Sequence, residues 1–243
     1  MCIIIQRDPG FVIPRDKFDN CVINNPDGWG LSVPDGKGML STIRSVDGET
    51  NGDEVYSLLH DEFKDDKVLL HLRYTTAGET NLRNAHPFPI LEEEVDGVDL
   101  RMAHNGTIHK YKHAMTSDLS WESDTRNFVR TFVRPLFKRM VAGVGPNELL
   151  KDEFITKLLN DQLTAASVLS FIDGFGNTLN VNGEGNGGKQ EEVGTTVTCI
   201  PSTQSTESPR ANIRGTLGAI LQRARTLPHT VVARVSTGRR VGM

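Results

Sequence analysis

The second residue of this chain carries a thiol, and removal of Met1 would leave it with a free α-amine as well. A cysteine thiolate is a strong nucleophile. An α-amine titrates near pH ~8, so Cys2 would hold nucleophile and base in one residue. Cysteine is small, and an initiator methionine before a small residue is normally trimmed. Taken alone, Cys2 also reads as the first residue of a buried strand, Cys2-Ile3-Ile4-Ile5, because free cysteines are among the most buried side chains. Three later stretches favour chemistry. Arg73 closes an apolar run and faces the turn Thr75-Thr76-Ala77-Gly78, which suits a guanidinium gripping a carboxylate through two parallel hydrogen bonds. Asn105-Gly106 at a strand end offers an amide donor and a flexible backbone N–H, the parts of an oxyanion hole. Asp124, near a helix start, offers an acceptor for an ammonium group. A carboxylate clamp, an ammonium clamp and an acyl-transfer centre together describe an amino acid with a side-chain amide, and glutamine is the obvious candidate.

These residues need elements to carry them. Residues 2 to 6 are β-branched and apolar and end in the turn signal Pro9-Gly10, which predicts a strand. Phe11–Ile13 and Cys21–Ile23 are read as segments flanking it. The glycines on either side of Trp29 point to closely approaching backbone. Leu31–Val33 and Met39–Ile43 read as a hairpin around Pro34-Asp35-Gly36. Asp53–Phe63 has helical spacing of Val55, Leu58, Leu59 and Phe63. Lys67–Arg73 reads as a strand, Tyr74–Leu91 as a long irregular segment, and Val98–Ala103 as a strand leading to Asn105. Ser123 or Asp124 caps the next helix, in which Pro135 is expected to make a kink or a stop. Its Arg126, Arg130, Arg134 and Lys138 recur every four residues, as a solvated face or a docking surface for an acidic partner. Asn147–Asn160 reads as a second amphipathic helix. Ala165–Ile172 and Thr178–Val181 read as a hairpin around Asp173-Gly174-Phe175-Gly176-Asn177. From residue 183 the chain turns Gly-, Ser- and Thr-rich and reads as a linker with a basic tail.

Composition narrows the function classes. The 243 residues are 37% hydrophobic and 24% charged, an ordinary soluble balance. No apolar run reaches the ~18 residues of a membrane span, and Cys2–Ile5 is too short for a secretory signal. Three cysteines without a C-x-x-C pair argue against a disulfide framework or zinc ribbon and suit a cytoplasmic protein. No histidine pair has metal-ligand spacing, so neither metal nor cofactor is expected. The net charge is −4, although Pro209–Met243 holds seven arginines and no acid. The body is therefore the more acidic part, which speaks against a nucleic-acid substrate.

Several stretches resemble the class II glutamine amidotransferases. Met1-Cys2 matches their processed nucleophile. His71-Leu72-Arg73-Tyr74-Thr75-Thr76-Ala77-Gly78 looks like their H-x-R-[YWQ]-[AST]-T-x-G signature, and Ala103-His104-Asn105-Gly106-Thr107-Ile108 like A-H-N-G-x-[IL]. Ser123-Asp124-Thr125 is similar to S-D-[TS]-E, with Arg126 in place of the glutamate. Asn84-x-His86-Pro87-Phe88 and Asp27-Gly28-Trp29-Gly30 resemble elements of the small stand-alone members. The resemblance implies an α+β, four-layer αββα sandwich of the N-terminal nucleophile hydrolase type over residues 2–182, with a flexible C-terminal extension, 183–243. It implies Cys2 as nucleophile, Asn105 and the Gly106 N–H for the oxyanion, and substrate contacts from Arg73, Thr75, Thr76, His86 and Asp124. His86 would position a loop near the site. His71 and His104 read as structural histidines bonded to backbone. The implied reaction is hydrolysis of L-glutamine to glutamate and ammonia through a γ-glutamyl thioester, with ammonia passed to a separate synthase or acceptor protein. The alternatives are an amidase of the same fold acting on another amide, and an inactive binding module.

Overall fold

The structure, a computed structural model, describes residues 2–46, 50–114, 117–164 and 167–182, and the backbone of 195–198 and 231–234. Strand alternation decides how its layers stack, because successive side chains of a strand point to opposite faces. In β1 (Ile3–Arg7) every residue is buried. Ile3 and Ile5 join one apolar cluster, and Ile4 joins another. β4 (Val68–Leu72) repeats the pattern, with Val68, Leu70 and Leu72 on one side and Leu69 on the other. Both strands are therefore covered on two faces. They pair antiparallel, Ile3 opposite Leu72, in the middle of a sheet ordered β10 (Val231–Arg234), β3 (Leu40–Ser45), β2 (Trp29–Pro34), β4, β1, β9 (Thr195–Thr198).

The second sheet is antiparallel throughout, in the order β5 (Phe88–Leu91), β6 (Leu100–Asn105), β7 (Val168–Asp173), β8 (Thr178–Asn182). α1 (Arg15–Ile23) and α2 (Gly52–Ser57), the latter continuing as a π-turn Leu58–Glu62, cover the outside of the first sheet with Phe18, Val22, Val55 and Leu59. A short turn, α3 (Glu93–Asp96), joins β5 to β6. α4 (Asp124–Phe128), α5 (Arg134–Val144) and α6 (Glu153–Asn160) cover the second sheet through Phe128, Val133, Phe137, Ile155 and Leu159. The order helix, sheet, sheet, helix is the four-layer sandwich expected. The seam between the sheets has a small apolar cluster, Ile4, Leu40, Leu69, Ala103 and Ile172. Polar contacts fill much of the rest: Gln6 Nε2 donates to the Phe171 carbonyl at 3.2 Å, and Asn180 Nδ2 to Gln6 Oε1 at 2.8 Å.

Some expectations change. Cys21–Ile23 is not strand but the last turn of α1, and Phe11–Ile13 has no strand pairing. Phe18 and Val22, four apart, put one face of that helix into the core, which a reading of its three-residue end alone misses. The segment Tyr74–Leu91 is irregular only to Pro87, after which Phe88–Leu91 pairs with β6. The helix expected from Asn147 starts instead at Glu153, with Asp152 accepting the Ile155 N–H as its cap and a 3₁₀ turn, Leu149–Lys151, before it. Pro135 does not stop its helix. A π-turn, Val129–Val133, lies just before it, and α5 runs on with the proline in its first turn, where a missing N–H costs least. Close backbone approach near Trp29 is found: a Cβ on Gly30 would lie 2.1 Å from the His86 carbonyl oxygen. Beyond residue 182 only the backbones of β9 and β10 are described, and both pair with the first sheet. The expected linker, the rest of the basic tail and Cys199 lie outside the described residues. Among the described residues no helix is long and apolar enough to cross a membrane.

Candidate active site

Cys2 immediately precedes β1, and its thiol donates to the Tyr74 carbonyl at 3.4 Å. The pairing of β1 with β4 sets that meeting, since Ile3 lies opposite Leu72 and Tyr74 follows two residues on. Burial pushes the Cys2 thiol pKa up. The Tyr74 contact and the neighbouring Arg73 charge oppose the rise, and Asp124 adds to it. The free thiol is thus the resting form at neutral pH, and attack requires a local base.

Arg73 leaves β4 and is buried. Its Nη2 donates to the Glu79 carbonyl at 3.0 Å, while its Nη1 is buried with no partner. Burial lowers its pKa, with Cys2 and Asp27 acting in the other direction. The turn after it is tied down from both sides. Thr75 N–H donates to Asp27 Oδ2 at 2.6 Å, and Thr75 and Thr80 share a hydroxyl hydrogen bond of 2.9 Å. Gly78 lies so close to the Trp121–Ser123 backbone that a Cβ would meet Ser123 N at 2.7 Å. Asn84 completes the junction, donating to the Glu79 and Trp121 carbonyls and accepting from Ser123 N–H at 3.1 Å. Thr76 is exposed on this turn.

Asn105 ends β6 fully buried, and both its amide nitrogen and its amide oxygen lack partners. Gly106 follows with φ 129°, a conformation that glycine adopts and L side chains rarely do. An unpaired buried amide and an unpaired buried guanidinium nitrogen are each uncommon in protein interiors and suit groups aimed at something other than protein. Asp124 is the first residue of α4. The two candidate caps divide the work: Ser123 Oγ accepts the Arg126 N–H at 3.1 Å as the helix cap. Asp124 is free of that task and accepts the Ile108 N–H at 2.6 Å and the Thr125 N–H at 2.8 Å.

Behind the candidate residues lie three histidines. His71 Nε2 meets the His104 carbonyl at 3.2 Å, as expected of a structural histidine. His104 Nδ1 instead meets a side chain, Thr125 Oγ1, at 2.7 Å. That bond ties the β6 end bearing Asn105 to the helix start bearing Asp124. His86 stacks on His71 with ring centres 4.0 Å apart and packs edge-on against Phe88. It is buried, so it supports the wall of the site. Burial drives the His71 pKa down to about 3, with the Arg73 charge adding to it, and the His104 pKa to about 4, against the pull of Asp124. Burial likewise holds His86 well below the ordinary value. All three are neutral at physiological pH. Among the described residues no cluster of three His, Cys, Asp or Glu could hold a metal ion.

The charges of Arg73 and Asp124 thus both act on the Cys2 thiol, and His104 and Thr125 tie the strand end that bears Asn105 to the helix start that bears Asp124. Sequence reading left out Tyr74, Glu79, Asn84, Trp121 and Thr125 as builders of the site. Most of them act through backbone carbonyls, which carry no residue signature. Asp27, quoted only within a motif, holds the Thr75 turn.

Comparison with known proteins agrees with the signatures. Residues 16–132 match the family model described as glutamine amidotransferases class-II. A putative glutamine amidotransferase from Escherichia coli K12, YafJ, is 33% identical over 93 residues, 38% of this chain and 34% of its own length. The chain thus aligns with about a third of that relative. Two solved structures cover about seventy per cent of the chain at low similarity. One, described as the allosteric regulatory enzyme of purine biosynthesis, aligns over 72% of this chain and 36% of its own, with 15% identity and a TM-score of 0.42. The other, glutamine phosphoribosylpyrophosphate amidotransferase from B. subtilis, aligns over 71% of this chain and 35% of its own, with 13% identity and a TM-score of 0.37. Through the segment 16–132, which carries Arg73, Asn105, Gly106 and Asp124, the chain is similar to the class II glutamine amidotransferases.

Proposed function

We propose that this protein hydrolyses the side-chain amide of L-glutamine to glutamate and ammonia, with Cys2 as nucleophile once Met1 has been removed. The observation that carries the reading is a half-buried thiol held at the Tyr74 carbonyl and acted on by the charges of Arg73, whose Nη1 is unpaired, and of Asp124. Arg73 Nη1 takes the substrate α-carboxylate, and Asp124 takes the α-ammonium. The Cys2 sulfur then attacks the amide carbon. Its proton passes to the α-amine of Cys2 and from there to the leaving nitrogen, which departs as ammonia. The amide nitrogen of Asn105 and the N–H of Gly106 hold the oxyanion that forms. Water, deprotonated by the same amine, hydrolyses the γ-glutamyl thioester and restores the thiol. The raised thiol pKa supports a requirement for that amine.

Intact mass before and after treatment with diazo-oxo-norleucine, a glutamine-like alkylator, tests the reading. The expected result is loss of Met1 and one adduct, absent in Cys2→Ala and blocked by glutamine. A chain that keeps Met1 and takes up no adduct would overturn it in favour of a binding module. A processed Cys2 that reacts with general thiol reagents and ignores the analogue would point to a different amide.

A further inference from the structure

An open cleft next to Trp121 plays no part in the chemistry above. Glu79, Asn81, Leu82, Arg83 and Trp121 line a cavity of about 520 Å³, within the ~300–1,000 Å³ usual for small-molecule sites. The guanidinium carbons of Arg83 and Arg126 lie 5.6 Å and 5.4 Å from the centre of the Trp121 ring. Arg126 also donates to the main-chain carbonyl of Arg83, which ties its side chain to the segment that carries Arg83.

Two acids stand at this cleft, of which Glu79 lines it and accepts from Asn81 Nδ2 at 3.2 Å. Glu122 is the other, and its oxygens are already occupied by Arg130 Nε at 3.2 Å, Arg130 Nη2 at 3.0 Å and His113 Nε2 at 2.8 Å. Arg126 Nε stands 3.5 Å from Glu122, buried and without a hydrogen-bond partner. Among the described residues Arg83 has no carboxylate partner, and the Trp121 face is its guanidinium's contact. Burial pushes the Arg126 pKa down; Glu122 opposes the fall, and the charges of Arg83, Arg134 and Arg130 add to it. Guanidinium groups seated on an indole keep their N–H edges free, and those edges match carboxylate and phosphate oxygens in pairs. This is also where the chain departs from the family signature, with Arg126 in place of glutamate.

We propose that Arg83 and Arg126, backed by Trp121, bind the carboxylate or phosphate group of a small anionic molecule other than glutamine, at the same time as glutamine. Simultaneous binding follows from the layout, because Arg73 and Asp124 already serve the two charged ends of glutamine. The two sites share a wall. The Glu79 carbonyl that receives Arg73 belongs to the segment that lines the cleft, and Asn84 pins it to Trp121 and Ser123. An anion bridging Arg83 and Arg126 therefore braces the turn that orients Arg73 and the helix start that carries Asp124.

The test is calorimetric titration of inorganic phosphate and of citrate into the full chain bearing Cys2→Ala, which needs no turnover. Saturable binding of at least one of the two anions is expected, with and without glutamine present. Loss of a charge-assisted hydrogen bond should weaken it by about tenfold or more in Arg83→Ala and in Arg126→Glu. Arg83→Gln, which keeps most of the side chain, should weaken it likewise, and Arg139→Ala on the exposed face of α5 should not. No saturable heat with either anion, binding indifferent to the Arg83 and Arg126 variants, or binding lost when glutamine is added would each overturn the proposal. Glutamine is titrated separately, so its failure to bind counts against the amidohydrolase reading alone.

Discussion

At Cys2 the surroundings disfavour the reactive form: burial holds the thiol protonated, and the positive Arg73 only partly offsets it. Asn105 is the sharper case, because both ends of its amide are buried without partners. A buried amide bears that cost only where a ligand group completes it. Replacing Asn105 with alanine should lower kcat for glutamine hydrolysis by about 10²–10³-fold with little change in KM, the pattern of an oxyanion donor used in the transition state. A parallel rise in KM would assign Asn105 to substrate binding instead. Much of this was legible one residue at a time, since thiol, guanidinium, amide and carboxylate each suit one task. The partners that hold them were not. Arg73 is oriented by the carbonyl of Glu79, and any residue type supplies a carbonyl.

The helix start at Ser123-Asp124 shows how a short element serves structure and site together. Ser123 satisfies the Arg126 N–H, so Asp124 is left to face Ile108 and the site. Ser123→Ala should cost about 0.5–2 kcal/mol of stability, read as a lower urea midpoint at unchanged m-value. No fall in the midpoint would mean that another group caps α4. Elements were readable where their signal is local: the hairpins around Asp35-Gly36 and Asp173–Asn177, and the apolar runs of β1 and β4. α1 and β5 were not. α1 has only Phe18 and Val22 buried in its nine residues, and β5 has four residues and owes its pairing to β6, far from it in sequence.

In the molecule as a whole the buried histidines on either face of the sheets give stability a pH dependence. His71 and His104 titrate at about 3 and about 4 in the folded chain, because burial disfavours their charged forms, against roughly 6.5 when unfolded. Between those values the unfolded chain binds more protons, so stability is complete above pH ~6.5 and falls as the pH drops toward about 4. Thermal melts should show Tm declining over that window, and His104→Gln should flatten the decline. A Tm that stays level from pH 7 to 4.5 would show that water and protons reach these histidines freely. Residue types and short-range patterns were enough to single out candidates for a nucleophile and two clamps, the hairpins and the likeness to class II glutamine amidotransferases, because each of these rests on side-chain chemistry or on backbone preference over a few residues. The meeting of Cys2 with the Tyr74 carbonyl, the bond from His104 to Thr125 and the Trp121 cleft were decided by tertiary packing. They depend on strand register and on loop contacts between residues far apart in the chain, which no short stretch of sequence encodes.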